Sequence, residues 1–336
     1  MKIALFGAGR IGEIHGQLLA ADERVAELIV VDADPDRAQH IAASLSGRVA
    51  ADVESALAEA DAVVIAASTD AHAGLVRAAV DRGVPVFCEK PLAFDLVETI
   101  QLVEHIERKG AVVQVGFQRR FDDAFVRAHD SVGDGSLGTL YLVKLTAHDH
   151  EPPPDAYIPV SGGLFRDSSI HDFDALRWVT GQEVEDVYAV GAVRGFPVFA
   201  KYKDVDTAAA ILRLKDGTLA VLGQTRHDPR GYDIRMEIVG SRDSVVMGLG
   251  PRTPLRSLES DASATSPAWT TFLTRFELAY RAEMLAFLKV ASGEAPSPCT
   301  ARDALEAMRI SIAAGKSLSE GRLVSLSEIP KAGGVR

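Results

Sequence analysis

Five short apolar runs punctuate the first 120 residues: "KIALFG" (2–7), "ELIVVD" (27–32), "DAVVIAAS" (61–68), "VPVFCE" (84–89) and "AVVQVGF" (111–117). Each is continuous rather than alternating and rich in β-branched residues, the pattern of strands buried on both faces of a parallel sheet. The intervening segments carry helix-start signals. Asp34 precedes a first-turn Pro35, Asp70 precedes "AHAGLVRAAV", and Asp95 precedes "LVETIQLVEHIE" with Glu98 three positions on. Regular strand–helix alternation predicts right-handed crossovers and a doubly wound sheet.

Past about residue 120 the pattern changes to period two. "TLYLVKLTAHDH", "EDVYAVGAV", "DTAAAILRL", "TLAVLGQTR", "YDIRMEIVGS" and "DSVVMGL" read as strands, and the Asp-Gly pair of "LKDGTL" marks a hairpin turn. Strands that follow one another without helices predict a large, open, mainly antiparallel sheet with one face left for helices or another subunit to cover. A Ser-, Pro- and Thr-rich loop is expected over 250–268, then two helices near 271–292 and 301–319. The reading is an α/β doubly wound domain over residues 1–119 and an α+β domain over 120–336. The second would bind substrate and mediate oligomerisation.

Composition narrows the class without changing this picture. Of 336 residues, 47% are hydrophobic and a quarter charged, as in globular proteins. A net charge of −11 argues against nucleic-acid and anionic-membrane partners, which need a basic surface. No apolar run approaches a membrane span, and the N-terminal run is broken at once by glycines, unlike a signal peptide. Two cysteines, Cys88 and Cys299, make neither a disulfide framework nor a cysteine-rich metal site. A cytoplasmic protein is expected.

"GAGRIG" follows the first strand and opens a helix, which gives an otherwise weak glycine pattern its context. Gly7 permits the tight turn, Gly9 the approach of a pyrophosphate and Gly12 close helix–strand packing, with Arg10 and Ile11 on the same turn. Twenty residues beyond Gly12, Asp32 ends the second strand, where a carboxylate accepts from an adenosine ribose and repels a 2′-phosphate. NAD is therefore favoured over NADP, with Arg10 and Arg37 leaving some room for the latter.

Two clusters suggest the chemistry. "SGGLFRDSSIHDFDALRW" (161–178) holds Asp167 and His171 four residues apart, on one face of a continuous helix. The histidine could take a hydroxyl proton while the aspartate orients it or binds a hydroxyl. Asp172 and Asp174 are expected to be surface or cap groups. "FCEKPLA" places Glu89 and Lys90 at the carboxyl end of the fifth strand, where ligands bind in open α/β sheets. A lysine there supplies a fixed positive charge for a developing alkoxide. Asp167, His171 and His148 could also be drawn as metal ligands. Spacing and the glycine turn already account for them, so no metal is expected.

Taken together, "GAGRIG", "EKPLA", "QVGFQRRFD" (114–122) and "GGLFRDSSIHDFDALRWVTG" (162–181) resemble the glucose–fructose oxidoreductase/inositol dehydrogenase (Gfo/Idh/MocA) family, in order along essentially the whole chain. The resemblance implies a Rossmann-type NAD domain, a homotetramer packed through open sheet faces, and Lys90, Asp167 and His171 as the catalytic set. It also implies Arg119, His148 and Tyr232 in the substrate pocket, Ser68, Thr69 and His72 near the cofactor ribose, and a cis peptide before Pro91. The implied activity is NAD-dependent oxidation of a cyclic polyol, myo-inositol first. Scyllo-inositol, another isomer or a pyranose sugar is the alternative. A non-catalytic NAD(P)-sensing regulator is the reading from a different class.

Overall fold

A computed structural model describes residues 1–258 and 266–333. Part of the loop expected over 250–268, residues 259–265, lies outside the described residues. The chain forms two compact units. One comprises residues 1–118, 278–306 and the segment from Pro330; the other comprises 119–277 and 307–329. Where the sequence suggested one cut near residue 119, residues 278–306 thus return to the first unit. The physical reason is burial: Met284, Phe287 and Leu288 pack into one core with Ile3, Leu5, Leu19, Val64 and Phe87.

The first unit is built on strands β1 (Lys2–Phe6), β2 (Glu27–Val31), β3 (Arg48–Val49), β4 (Ala62–Ile65), β5 (Val86–Glu89) and β6 (Val113–Gly116). Their order is β3-β2-β1-β4-β5-β6 and every pairing is parallel. Helices α1 (Arg10–Ala20), α2 (Pro35–Ser44), α3 (Val53–Glu59), α4 (Thr69–Asp81) and α5 (Leu96–Lys109) make the crossovers. All five expected strands are present. The sixth, β3, has two residues and no pattern long enough to read. Chain order reverses between β1 and β4, which opens a crevice at their carboxyl ends. Asp34 and Asp95 cap α2 and α5 as expected. Ser68, not Asp70, occupies the cap position of α4, so Asp70 falls in its first turn.

The second unit holds helices α6 (Asp123–Gly133), α7 (Ile158–Ser161), α8 (Leu164–Asp167), α9 (Ile170–Thr180), α10 (Val198–Lys201) and α11 (Phe272–Arg275). Helices α12 (Glu277–Ala291) and α13 (Ala301–Glu320) complete the chain. Its sheet is formed by β7 (Leu140–His148), β8 (Val184–Ala192), β9 (Thr207–Leu214), β10 (Leu219–Thr225), β11 (Asp233–Gly240), β12 (Ser244–Met247) and β13 (Val324–Ser325). The order is β12-β11-β7-β10-β9-β8-β13, antiparallel except for the β7–β10 pair. One face is core, with Val143, Leu145, Leu212, Leu222, Met236 and Ile238 buried.

The opposite face is exposed. Val246, Glu237, Lys144, Val221, Ile211 and Tyr188 are successive cross-strand neighbours on six strands. Val246, Val221, Ile211 and Tyr188 are all substantially exposed, Ile211 at 53%.

Candidate active site

The glycine turn is shaped for close approach. Gly7 has φ +97°, and a Cβ there would stand 2.5 Å from the Ala67 amide nitrogen. A Cβ on Gly12 would collide with the Gly7 carbonyl oxygen, so the third glycine brings α1 against the turn. Gly9, the N-cap of α1, faces open space and offers no side-chain cap, leaving the helix N-terminus beside exposed Arg10 and half-buried Ile11 for an anion. Asp32 ties this turn down: Oδ2 accepts from the Ala8 amide at 2.6 Å and Oδ1 from the Asp34 amide at 2.8 Å. Arg37 is engaged by Asp32 at 3.3 Å and by Asp34 at 3.5 Å. Two carboxylates already neutralise the cation that a 2′-phosphate would need, so the local charge fits NAD.

Around β4 and β5 the expected cofactor residues divide. Exposed Ser68 and half-buried Thr69 open α4 at the carboxyl end of β4. The Ser68 hydroxyl bonds the Asp70 carboxylate and holds it below its ordinary range. His72 is taken up by the protein's own backbone. It is buried, with Nδ1 2.7 Å from the Pro91 carbonyl oxygen and Nε2 3.0 Å from that of Ala67. Glu89 is likewise turned inward, with Oε1 2.8 Å from His15 Nε2 and Oε2 accepting from the Lys90 amide at 3.3 Å. The Lys90–Pro91 peptide is cis.

In the second unit the expected continuous helix is broken between its two titratable residues. Asp167 ends α8 and His171 lies in the first turn of α9, with Ser168 and Ser169 between. Both serines are held from β10 by buried Gln224: its amide nitrogen donates to Ser168 Oγ at 2.5 Å, and Ser169 Oγ donates to its oxygen. Two residues on, Arg226 donates to Asp167 Oδ2 at 2.7 Å and lies 3.3 Å from Asp149 Oδ2. Tyr157 donates its hydroxyl to the other Asp167 oxygen at 2.9 Å. Desolvation pushes the Asp149 carboxyl up against the pull of Arg226. Asp167 is thus oriented by Arg226 and Tyr157, neither singled out from sequence.

Asp172 and Asp174, expected at the surface, are buried. Adjacent arginines at the start of the unit neutralise them: Arg119 donates to Asp172 at 2.5 Å, and Arg120 grips Asp174 through two bonds of 2.8 and 2.6 Å. A carboxylate on this inner face of α9 is tolerable only with such a partner. Burial still pushes Asp172 up, opposed by Arg119. Tyr232 is buried against Arg119 and edge-on to Phe276 at 6.5 Å, and desolvation raises its phenol well above the ordinary value. Arg119 and Tyr232 therefore lie together. Half-buried His148 ends β7 across from Asp233, its Nδ1 3.5 Å from Asp228. Among the described residues, His148, Asp228 and Asp233 are close enough to share an ion. Arg235 already contacts both Asp233 oxygens, at 2.8 and 3.1 Å, and counters that use.

A doubly wound sheet with an open glycine turn and a carboxylate just past β2, followed in the chain by a mixed-sheet unit with ordered carboxylates and a histidine, is the pattern of a nucleotide-dependent oxidoreductase. A family profile described as an oxidoreductase family with an NAD-binding Rossmann fold matches residues 1–117, and the Gfo/Idh/MocA C-terminal domain matches 125–246. A myo-inositol dehydrogenase of Streptomyces leeuwenhoekii is 40% identical over 96% of this chain and 98% of its own. The myo-inositol 2-dehydrogenase of Thermotoga maritima is 35% identical over 98% and 99%. A solved scyllo-inositol dehydrogenase of Lactobacillus casei with bound NAD(H) and scyllo-inositol superposes with a TM-score of 0.86 at 28% identity, covering 97% of this chain and 99% of that one. The chain belongs to the Gfo/Idh/MocA oxidoreductase family.

Proposed function

We propose that this protein oxidises a secondary hydroxyl of an inositol, with myo-inositol giving 2-keto-myo-inositol, and uses NAD as acceptor. The observation that carries the reading is that one chain holds both an NAD-shaped turn in its first unit and, in its second, an Asp167 carboxylate held by Arg226 and Tyr157 one break away from His171. NAD, when bound, supplies the hydride acceptor. His171 takes the hydroxyl proton as the carbon gives up its hydride, Asp167 binds a hydroxyl and orients the site, and Lys90 stabilises the alkoxide-like oxygen. Arg119, Tyr232 and His148 bond the remaining ring hydroxyls. Several such partners are needed, because an epimer is rejected by the polar groups it leaves unpaired.

A second reading, scyllo-inositol as substrate, draws support from the 32%-identical scyllo-inositol 2-dehydrogenase of Bacillus subtilis. The test is NADH formation by purified protein with myo-inositol, scyllo-inositol and glucose, each with NAD and NADP. Turnover best with myo-inositol and NAD is expected. Saturable turnover of glucose at far higher efficiency than either inositol would remove the inositol reading.

Asp32 carries the cofactor preference in this reading. Asp32→Ala is expected to weaken NAD binding about 10–100-fold, the worth of hydrogen bonds to a charged group, and to narrow the NAD/NADP ratio. Titration of NADH fluorescence reads this; unchanged affinity for both cofactors would place the ribose contact elsewhere.

The exposed apolar row of the second sheet supports a homo-oligomer, a tetramer in the resemblance. Four large apolar side chains in one cross-strand row are what a second copy would cover. Ile211→Asp is expected to shift the protein to a smaller species by sedimentation velocity at micromolar concentration, and an unchanged mass would clear this face of that role. None of the described helices is long and apolar enough to cross a membrane. Two buried free thiols support placement in the cytoplasm.

A further inference from the structure

We propose that His15 is a positioning residue for the reaction: it anchors Glu89, which holds the backbone of Lys90 in place. The inference rests on the reading of Lys90 as the charge that stabilises the reacting oxygen. His15 lies on α1, one turn beyond the glycine fingerprint, and is completely buried. A fully buried imidazole is costly unless its nitrogens are paired. Here Nε2 stands 2.8 Å from Glu89 Oε1, while Nδ1 has no hydrogen-bond partner among the described residues. The ring packs edge-on against Phe87, at 5.1 Å, and Tyr280, at 5.9 Å, which favours the orientation that meets Glu89.

Glu89 passes the constraint on. With Oε1 on His15, its Oε2 receives the Lys90 amide at 3.3 Å. The neighbouring strand leaves room for this: Gly116 pairs with Glu89, and a Cβ at 116 would stand 3.0 Å from Glu89 Oε2. An apolar residue would fill the space around Phe87 at less cost than a histidine with one unpaired nitrogen. The arrangement makes sense where a carboxylate must be kept in one rotamer behind the chain that carries Lys90. The histidine also joins the phosphate-binding helix to that strand end. Misplacement of a reacting group by about 1 Å can cost about 100-fold in rate, the scale on which such an anchor acts.

His15→Phe keeps the ring and its edge contacts but removes the donor, and His15→Gln restores a donor near the Nε2 position. With purified full-length protein, His15→Phe is expected to lower kcat by about 10- to 100-fold while NADH affinity and the KM for inositol hold within about twofold. His15→Gln recovers most of that rate, and Glu89→Gln, which exchanges an acceptor for a donor, resembles His15→Phe and is not additive with it. Lys90→Met is measured in parallel. If Lys90→Met loses rate while His15→Phe keeps it, the anchor is wrong and the role of Lys90 stands. Full activity of Lys90→Met removes both. A His15→Phe variant whose NADH affinity and melting temperature fall together with kcat, without rescue by Gln, reduces His15 to a core residue and overturns the proposal.

Discussion

His171→Ala should lower kcat for inositol oxidation by about 10²–10⁴-fold, the usual contribution of a positioned general base, and leave NADH binding unchanged. The split follows from placement. His171 begins α9 in the second unit, whereas the glycine turn, Asp32 and the α1 N-terminus all belong to the first. In the proposed mechanism, removing the imidazole takes away the proton acceptor and leaves the glycine turn and Asp32 unaltered in sequence. KM should change little, because the proposed reading gives the hydroxyl contacts mainly to Asp167, Arg119 and Tyr232. Steady-state kinetics beside an NADH fluorescence titration separates the two parameters. Comparable losses in kcat and in NADH affinity would show that His171 serves binding, and the proton would need another acceptor.

The parts of this molecule legible in sequence are those whose signal is local. The parallel strands declared themselves because burial on both faces demands continuous β-branched runs, and the second sheet because one exposed face imposes alternation. The glycine turn was legible because steric need selects glycine at Gly7 and Gly12 regardless of distant context. What escaped was set by tertiary partners. Asp172 and Asp174 look like surface acids until Arg119 and Arg120, 53 and 54 residues earlier, are folded against them. The signal was present as two adjacent cations and two acids spaced by two within matched motifs, yet nothing local pairs them. The break between Asp167 and His171 had a local cue in Ser168-Ser169, residues that compete for backbone hydrogen bonds and disfavour helix interiors. Gln224, which holds both serines, lies on a strand read only for its alternation. His72 and Glu89 were placed near the cofactor by position in their motifs, but their side chains bond to carbonyl oxygens and to His15 respectively. A motif locates a backbone segment more securely than it aims a side chain.

Arg226 is where site and stability meet, and Arg226→Met should damage both. Met retains much of the buried stem but leaves Asp167 and Asp149 without their shared cation. Breaking a buried ion pair by deleting one partner costs about 3–5 kcal/mol. Here Asp167 and Asp149 keep side-chain exposures of 13% and 26%, so part of that cost is relieved by solvent. A loss of about 2–4 kcal/mol is therefore expected, at about 2–4 °C in melting temperature per kcal/mol for a unit of this size. The penalty should depend on pH in a definite direction. Asp149 already sits above its ordinary value because desolvation outweighs the pull of Arg226, and removing the guanidinium raises it further. A carboxyl raised in the folded state favours folding fully below its unfolded pKa, and that contribution disappears as pH rises through the folded value. The deficit of Arg226→Met relative to the parent should thus be smaller near about pH 5 than near about pH 8. Activity should fall about 100-fold at any pH where the variant is folded, since Asp167 loses one of the groups that orient it. Thermal melts across pH, paired with kcat at a temperature well below both transitions, read the two effects separately. A deficit that widens toward acid would mean that Arg226 stabilises the fold through something other than these carboxylates. Normal kcat in a destabilised variant would show that Asp167 is oriented without Arg226.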